Sequence, residues 1–280
     1  MSRLRAALVG EVLGTWLMVL IGTGSVACAV LTGALQGLWQ VAVVWGLGVT
    51  IAIYASAALS GAHLNPAVTL AFALLRPERF PRSRVLPYVA AQLVGAVVAG
   101  LVVWAAFSPF LARFEAKEGL TRGAPGSERA AMIFGQYFPN AAMFGAGPDA
   151  HALVSPLQAA LVEGFGTLIL VLVIFALTDP DNAAAPEPTL VPVVVGATVA
   201  VLIAVFAPIT QAGWNPARDF GPRLVALLAG YGQIALPGPQ AGFWIYIVGP
   251  LIGGPLGGLL YERGLRPHLP RKVPSGLESA

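Results

Sequence analysis

Six stretches of this chain, at about 6–31, 41–60, 84–107, 155–177, 188–207 and 241–262, run for twenty residues or more with very little charge. The hydrocarbon core of a bilayer takes about 20 apolar residues of helix. In lipid every backbone polar group must be satisfied within the protein, which favours helices for runs of this length. The pattern therefore predicts an all-α membrane protein with six transmembrane spans. Composition agrees: 57% of residues are hydrophobic and only 10% charged, against about 25% charged in an ordinary soluble domain. Mean hydropathy is +0.77.

The net charge of +3 (16 basic minus 13 acidic residues) is not a nucleic-acid footprint, because the bases gather at the ends of apolar runs. A single cysteine, Cys28, leaves no intrachain disulfide and no cysteine metal cluster. Glu11, inside the first run, argues against a cleavable signal. Arg3 and Arg5 precede the first span, Arg76, Arg79, Arg82 and Arg84 follow the second, and Arg263, Arg266, Arg271 and Lys272 follow the sixth. That bias places both termini in the cytoplasm, in a cell (plasma or inner) membrane. The loop 178–187 should share that side, although it holds Asp179, Asp181 and Glu187 and no base. We expect one domain over 1–262, with a repeat at about 5–107, an external loop at about 108–154 and a second repeat at about 155–262. Residues 263–280 read as a disordered cytoplasmic tail.

Two shorter apolar segments, "PAVTLAFALL" from Pro66 and "PARDFGPRLVALLAG" from Pro216, cannot cross a bilayer at about 1.5 Å per residue. They read as half-helices that dip in and return. "GEVLGTWLMVLIG" at 10–22 resembles "VEGFGTLILVLVI" at 162–174, and "LNPAV" at 64–68 resembles "WNPAR" at 214–218. The offsets are 152 for Glu11/Glu163 and 150 for Asn65/Asn215. Each repeat holds three full spans, an odd number, so the second enters from the opposite side. Inverted repeats of this kind place a solute path at the midplane.

Irregular backbone survives at membrane depth only where it is buried in protein or lines a watery cavity. Asn65 with Pro66 and Ala67, and Asn215 with Pro216 and Ala217, are good helix starts. Capping uses the amide oxygen and leaves the NH₂ donors free for a solute oxygen. Two positive helix ends meeting at the centre repel cations. Arg218 lies three residues beyond Asn215, on the same helix face, where the first repeat has Val68. A charge at that depth marks a functional site. Glu11 and Glu163 can accept hydrogen bonds from N–H groups of the neighbouring re-entrant loops, or could be proton-coupling carboxylates. Carbonyls of Gly61, Ala62 and His63, and of Ala212, Gly213 and Trp214, can form an acceptor ladder beside the caps. Glycines 10, 14, 95, 249, 253 and 257 read as close helix packing. With three histidines and no nucleophile–base constellation, the chain does not read as an enzyme. No catalytic residue, metal site or cofactor is called for.

The motifs "SGAHLNPAVT" and "NPARDFGPR" resemble the aquaporin and aquaglyceroporin channels (the major intrinsic protein family) over about 5–262. The resemblance implies six tilted helices, two re-entrant half-helices, one pore per protomer and a homotetramer. It also implies a selectivity filter of Trp45, Ile203, Ala212 and Arg218. Water-selective members often carry His at the position of Ile203; familiar glycerol members carry Gly there and Phe at that of Ala212. This chain matches neither, and Ala212 should widen the filter. Asp219 with Arg223 and the long loop carrying "QYFPN" lean towards glycerol conductors, although the pair could equally be a surface salt bridge. Tyr246 and Ile247 match neither class. The reading is a passive channel for water and small neutral polyols such as glycerol, excluding protons and ions. The alternatives are a channel essentially selective for water, or an ion- or proton-coupled secondary transporter.

Overall fold

Eight principal helices carry the architecture of the computed structural model, which describes residues 3–270. In chain order they are α1 (Arg3–Ala27), α2 (Leu38–Ser60), α3 (Pro66–Leu75), α4 (Val85–Glu118), α5 (Pro156–Leu177), α6 (Val191–Thr210), α7 (Pro216–Ala226) and α8 (Ile245–Leu260). Six of them, with their terminal turns, are long and apolar enough to cross a membrane; α3 and α7 are the two half-helices. The protein is a multi-pass, all-helical membrane protein, and no strand occurs among the described residues.

Local chemistry sets the helix starts. Asn65 and Asn215 sit at the N-caps of α3 and α7 with extended backbone, each followed by proline. Proline is suited to the first turn, where its missing N–H removes a donor that would otherwise lack a partner. Ser155 caps α5 by accepting from Gln158 N–H at 3.2 Å. Within the first half α1 packs on α2 and α4; within the second, α5 packs on α6 and α8. The halves then interlock. α2 lies against α6, α3 against α8, and α7 against α4, so each half-helix docks on a span of the opposite repeat. Small residues permit the approach. A Cβ at Gly253 would strike Gly164 O, one at Gly257 would strike Leu168 O, and one at Gly95 would strike Val12 O. At the α2–α6 crossing, Gly46 and Gly196 face each other in the same way, and Thr50 Oγ1 donates to Pro192 O at 3.2 Å.

Two boundaries differ from the sequence expectation. α4 continues through Pro109 to Glu118, so the connection between the halves is shorter than 108–154. That connection packs back onto the helices: Ile133 and Phe134 are fully buried, and Asn140 donates through its backbone to Pro208 O at 3.1 Å. Residues 261–268 form helical turns instead of starting a tail. Arg271, Lys272 and the rest of 271–280 lie outside the described residues.

The acidic loop 178–187 finds its bases in other segments. Asp179 Oδ2 lies 3.0 Å from Arg266 Nε and 3.8 Å from Arg76 Nη2, and Asp181 is 3.1 Å from Arg266 Nη2. Arg76 also donates to Glu262 at 2.6 Å and lies over Phe175 at 4.2 Å. The arginine-rich loop after α3, the loop after α5 and the turn after α8 therefore share one face of the molecule. Burial raises the Asp179 carboxyl. The Asp181 N–H, the Tyr261 hydroxyl, Arg266 and Arg76 outweigh that and hold it below its ordinary value.

Candidate functional site

The two re-entrant loops meet at the centre in a reciprocal pattern. Asn65 Oδ1 accepts from Ala67 N–H at 2.8 Å, capping α3, while its Nδ2 donates to Trp214 O at 2.9 Å. Asn215 Oδ1 accepts from Ala217 and Arg218 N–H at 3.1 and 3.2 Å, and its Nδ2 donates to Leu64 O at 2.8 Å. The expectation that both NH₂ donors of each cap stay free is thus half right. An Asn carries two such donors; one ties the opposite loop, which leaves one on each side.

The same loop residues are held from behind by carboxylates. Glu11 accepts from His63 N–H at 3.0 Å and Leu64 N–H at 2.8 Å. Glu163 accepts from Gly213 N–H at 2.9 Å and Trp214 N–H at 2.7 Å. Both glutamates are fully buried. Leu64 and Trp214 therefore each send N–H to a glutamate of their own half and receive at C=O from the asparagine of the other. Ala62, Leu64, Ala212 and Trp214 adopt φ between 51° and 58°. That left-handed backbone is uncommon for residues with a Cβ and persists only where the surroundings over-determine it. Gly61, Ala62, His63, Gly213 and Trp214 all line one cavity of about 340 Å³. The His63 ring also packs at 4.5 Å from Phe80 and 4.9 Å from Phe72, with Nδ1 3.3 Å from Thr69 Oγ1.

That cavity reaches Arg79, Arg84 and Thr178 on the arginine-rich face. A second, of about 330 Å³, is lined by Leu35, Gly37, Asn140 and Met143, beyond the other end of α1. Four residues line both: Trp45, Ile203, Ala212 and Arg218. All four are at most 6% exposed. The Arg218 guanidinium lies over the Trp45 ring, 4.5 Å from its centroid, and its buried Nη1 has no hydrogen-bond partner in the protein. A donor without a protein acceptor, at the junction of two cavities, is available to a solute.

With this geometry in view, the comparisons with known proteins decide the family. The sequence model described as Major intrinsic protein matches residues 1–261. The chain belongs to the major intrinsic protein family. Within that family it is 39% identical over 269 residues to the propanediol uptake facilitator PduF of Citrobacter freundii, covering 95% of this chain and 94% of that protein. It is 40% identical over 263 residues to the glycerol uptake facilitator protein of Pseudomonas aeruginosa, covering 93% and 88%. The X-ray structure of the aquaglyceroporin from Plasmodium falciparum superposes with a TM-score of 0.80 at 26% identity, covering 94% of this chain and 98% of that one. The major intrinsic protein fold is therefore the fold of this chain.

Four further residues of this family member support the site, and only Gln92 is not singled out in the sequence. Gln92 donates to Glu11 at 2.7 Å and to Thr69 at 3.0 Å. A lone amide inside an apolar run was the available clue. Tyr246, fully buried, donates to Thr210 O at 3.0 Å behind the second loop. Asp219 and Arg223 are not a surface pair. They are essentially unexposed, pair at 2.8 Å, and grip both ends of Gln136: Asp219 accepts its N–H at 2.8 Å and Arg223 donates to its C=O at 2.6 Å. The i,i+4 spacing reveals that the two meet but says nothing of depth.

Proposed function

We propose that this protein is a passive channel for water and small neutral polyols such as glycerol, excluding protons and ions. It is a conduit and not an enzyme. One observation carries the reading: two cavities reaching towards opposite faces share the four residues Trp45, Ile203, Ala212 and Arg218, of which Arg218 alone is charged. Trp45 and Ile203 offer apolar walls to a carbon chain, Arg218 offers donors to hydroxyls, and Ala212 leaves room between them. Deeper in, the free N–H of Asn65 and of Asn215 (with the ends of α3 and α7 behind them) orient a neutral oxygen and repel cations. Carbonyls of Gly61, Ala62, His63, Gly213 and Trp214 accept from the other side of the solute. The names of the relatives, facilitators of glycerol and propanediol uptake, agree with this solute class.

The channel domain covers 1–262, in two inverted repeats joined by an external connection. It works as a homotetramer in the plasma or inner membrane, with both termini cytoplasmic. The inward face is then the one carrying Arg76 to Arg84. Stopped-flow light scattering of proteoliposomes under water, glycerol and urea gradients, with and without a pH gradient, tests the reading. Glycerol flux should follow only its own gradient. Accumulation of glycerol against its gradient when a proton gradient is imposed would establish a coupled transporter instead.

A further inference from the structure

Gln211 stands immediately before the constriction residue Ala212, in backbone that suits glycine better than glutamine: φ is 61° at Gln211 and 58° at Ala212. Such a conformation is kept for a residue with a Cβ only when the surroundings hold it. Here the side chain supplies that hold. It is 6% exposed, and both ends of its amide reach the connection between the repeats. Nε2 donates to Met132 O at 2.8 Å, and Oε1 accepts from Tyr137 N–H at 3.1 Å. Met132 and Gln211 both line the second cavity, beside Ala212 and Arg218. The Asp219–Arg223 pair grips the same segment at Gln136, but neither of those residues lines either cavity of the pathway.

We propose that Gln211 is a specificity-determining positioning residue. Its amide pins segment 132–137 to the loop that carries Ala212, and so limits the size of polyol that can reach and pass the constriction. The inference rests on the channel reading above. Its physical basis is the smallness of Ala212. A methyl group gives the wall little bulk of its own, so the width there depends on how firmly the surrounding backbone is held. Glycine at 211 would meet the backbone requirement without strain but would supply no clamp, and asparagine is too short by one methylene to span both partners.

The test compares wild type, Gln211→Gly and Gln211→Asn in proteoliposomes, with water, glycerol and the four-carbon polyol erythritol measured on each preparation. A merely structural role changes the fraction of working channels and scales all three permeabilities together. The positioning role raises the erythritol-to-glycerol ratio, by about tenfold, the low end of the scale at which pockets discriminate one carbon unit, with the water-to-glycerol ratio changing less. An unchanged erythritol-to-glycerol ratio in a variant that conducts glycerol overturns the inference and leaves the channel reading standing. If neither variant can be reconstituted, Gln211 is a folding residue and the inference is likewise overturned. Absence of glycerol flux in the wild type overturns the channel reading, and this inference with it.

Discussion

Asn65 and Asn215 each donate an amide N–H to the backbone of the opposite half, Asn65 to Trp214 O at 2.9 Å and Asn215 to Leu64 O at 2.8 Å. Because Leu64 and Trp214 also give their N–H groups to Glu11 and Glu163, the centre of the protein holds the same chain of hydrogen bonds twice over. It runs from the first span of each repeat, through its own loop, to the cap of the other. The two half-helices are thereby fixed end to end, and the remaining Asn donors are aimed by backbone that cannot easily rotate away.

Asn215→Asp tests whether those helix ends form the cation barrier. An ionised carboxylate still accepts from Ala217 and Arg218 N–H but no longer donates to Leu64 O, and it places a negative charge where two positive ends converge. Proton or sodium leak should rise, by about tenfold if the charge offsets about 1.4 kcal/mol of repulsion, within the range of a partly buried helix-end interaction. Water flux should persist. A pH-sensitive dye trapped in the vesicles reads the leak, and a leak equal to wild type would place the barrier elsewhere.

The carboxylate behind the second loop gives a graded series. Both oxygens of Glu163 are engaged, one by Gly213 N–H and one by Trp214 N–H. Gln keeps one acceptor and turns an NH₂ towards the other N–H; Leu keeps none. Each buried donor left without a partner costs about 1–3 kcal/mol. Thermal stability in detergent should therefore fall in the order wild type, Glu163→Gln, Glu163→Leu. Equal stability of the Gln and Leu variants would remove the loop-supporting role.

Much of this was legible in the sequence, for identifiable reasons. Spans announce themselves through length and hydropathy, caps through Asn-Pro, and Glu11 and Glu163 through their matched offset. What stayed hidden depends on contacts distant in the chain. Pro109 and the charged run from Arg113 to Glu118 look like loop, yet Glu115 pairs with Arg122 at 2.6 Å and the helix continues. Gln211 carries no periodicity, and its role exists only once segment 132–137 has folded over it. The acids of loop 178–187 look unbalanced until Arg76 and Arg266 arrive from elsewhere.

That last cluster carries a pH dependence. The folded protein holds the Asp179 carboxyl below its ordinary 3.8, so its stabilising effect is fully present above that value and is lost as pH falls below it. Asp179→Asn should cost about 1–3 kcal/mol at pH 7, since the buried guanidinium of Arg76 and that of Arg266 lose a charged acceptor. The gap to wild type should close as the pH drops below 3.8. Melting curves in detergent between pH 3 and 7 check it; a gap that stays constant over that range would show that the ionised form of Asp179 contributes nothing.

The junction of the two cavities separates size from charge. Ala212 and Arg218 both line the junction of the two cavities, but they act differently there. Ala212 contributes a short apolar wall. Arg218 contributes charge and hydrogen-bond donors, and its guanidinium is held over the Trp45 ring. Ala212→Phe adds bulk to the wall that Ala212 shares with Trp45 and Ile203, so it acts by volume. Polyols should lose permeability before water does, and proton leak should stay at the wild-type level because every charge and helix end is intact. Arg218→Val removes the charge and widens the junction. Leak of protons and small cations should rise, restrained only by the ends of α3 and α7, and glycerol flux should lose hydroxyl guidance while gaining space. Glycerol and water permeabilities, with an internal pH dye in the same vesicles, distinguish the two outcomes. A glycerol-to-water ratio left unchanged by Ala212→Phe would remove position 212 from the constriction. Leak left unchanged by Arg218→Val would assign cation rejection wholly to the paired helix ends at Asn65 and Asn215.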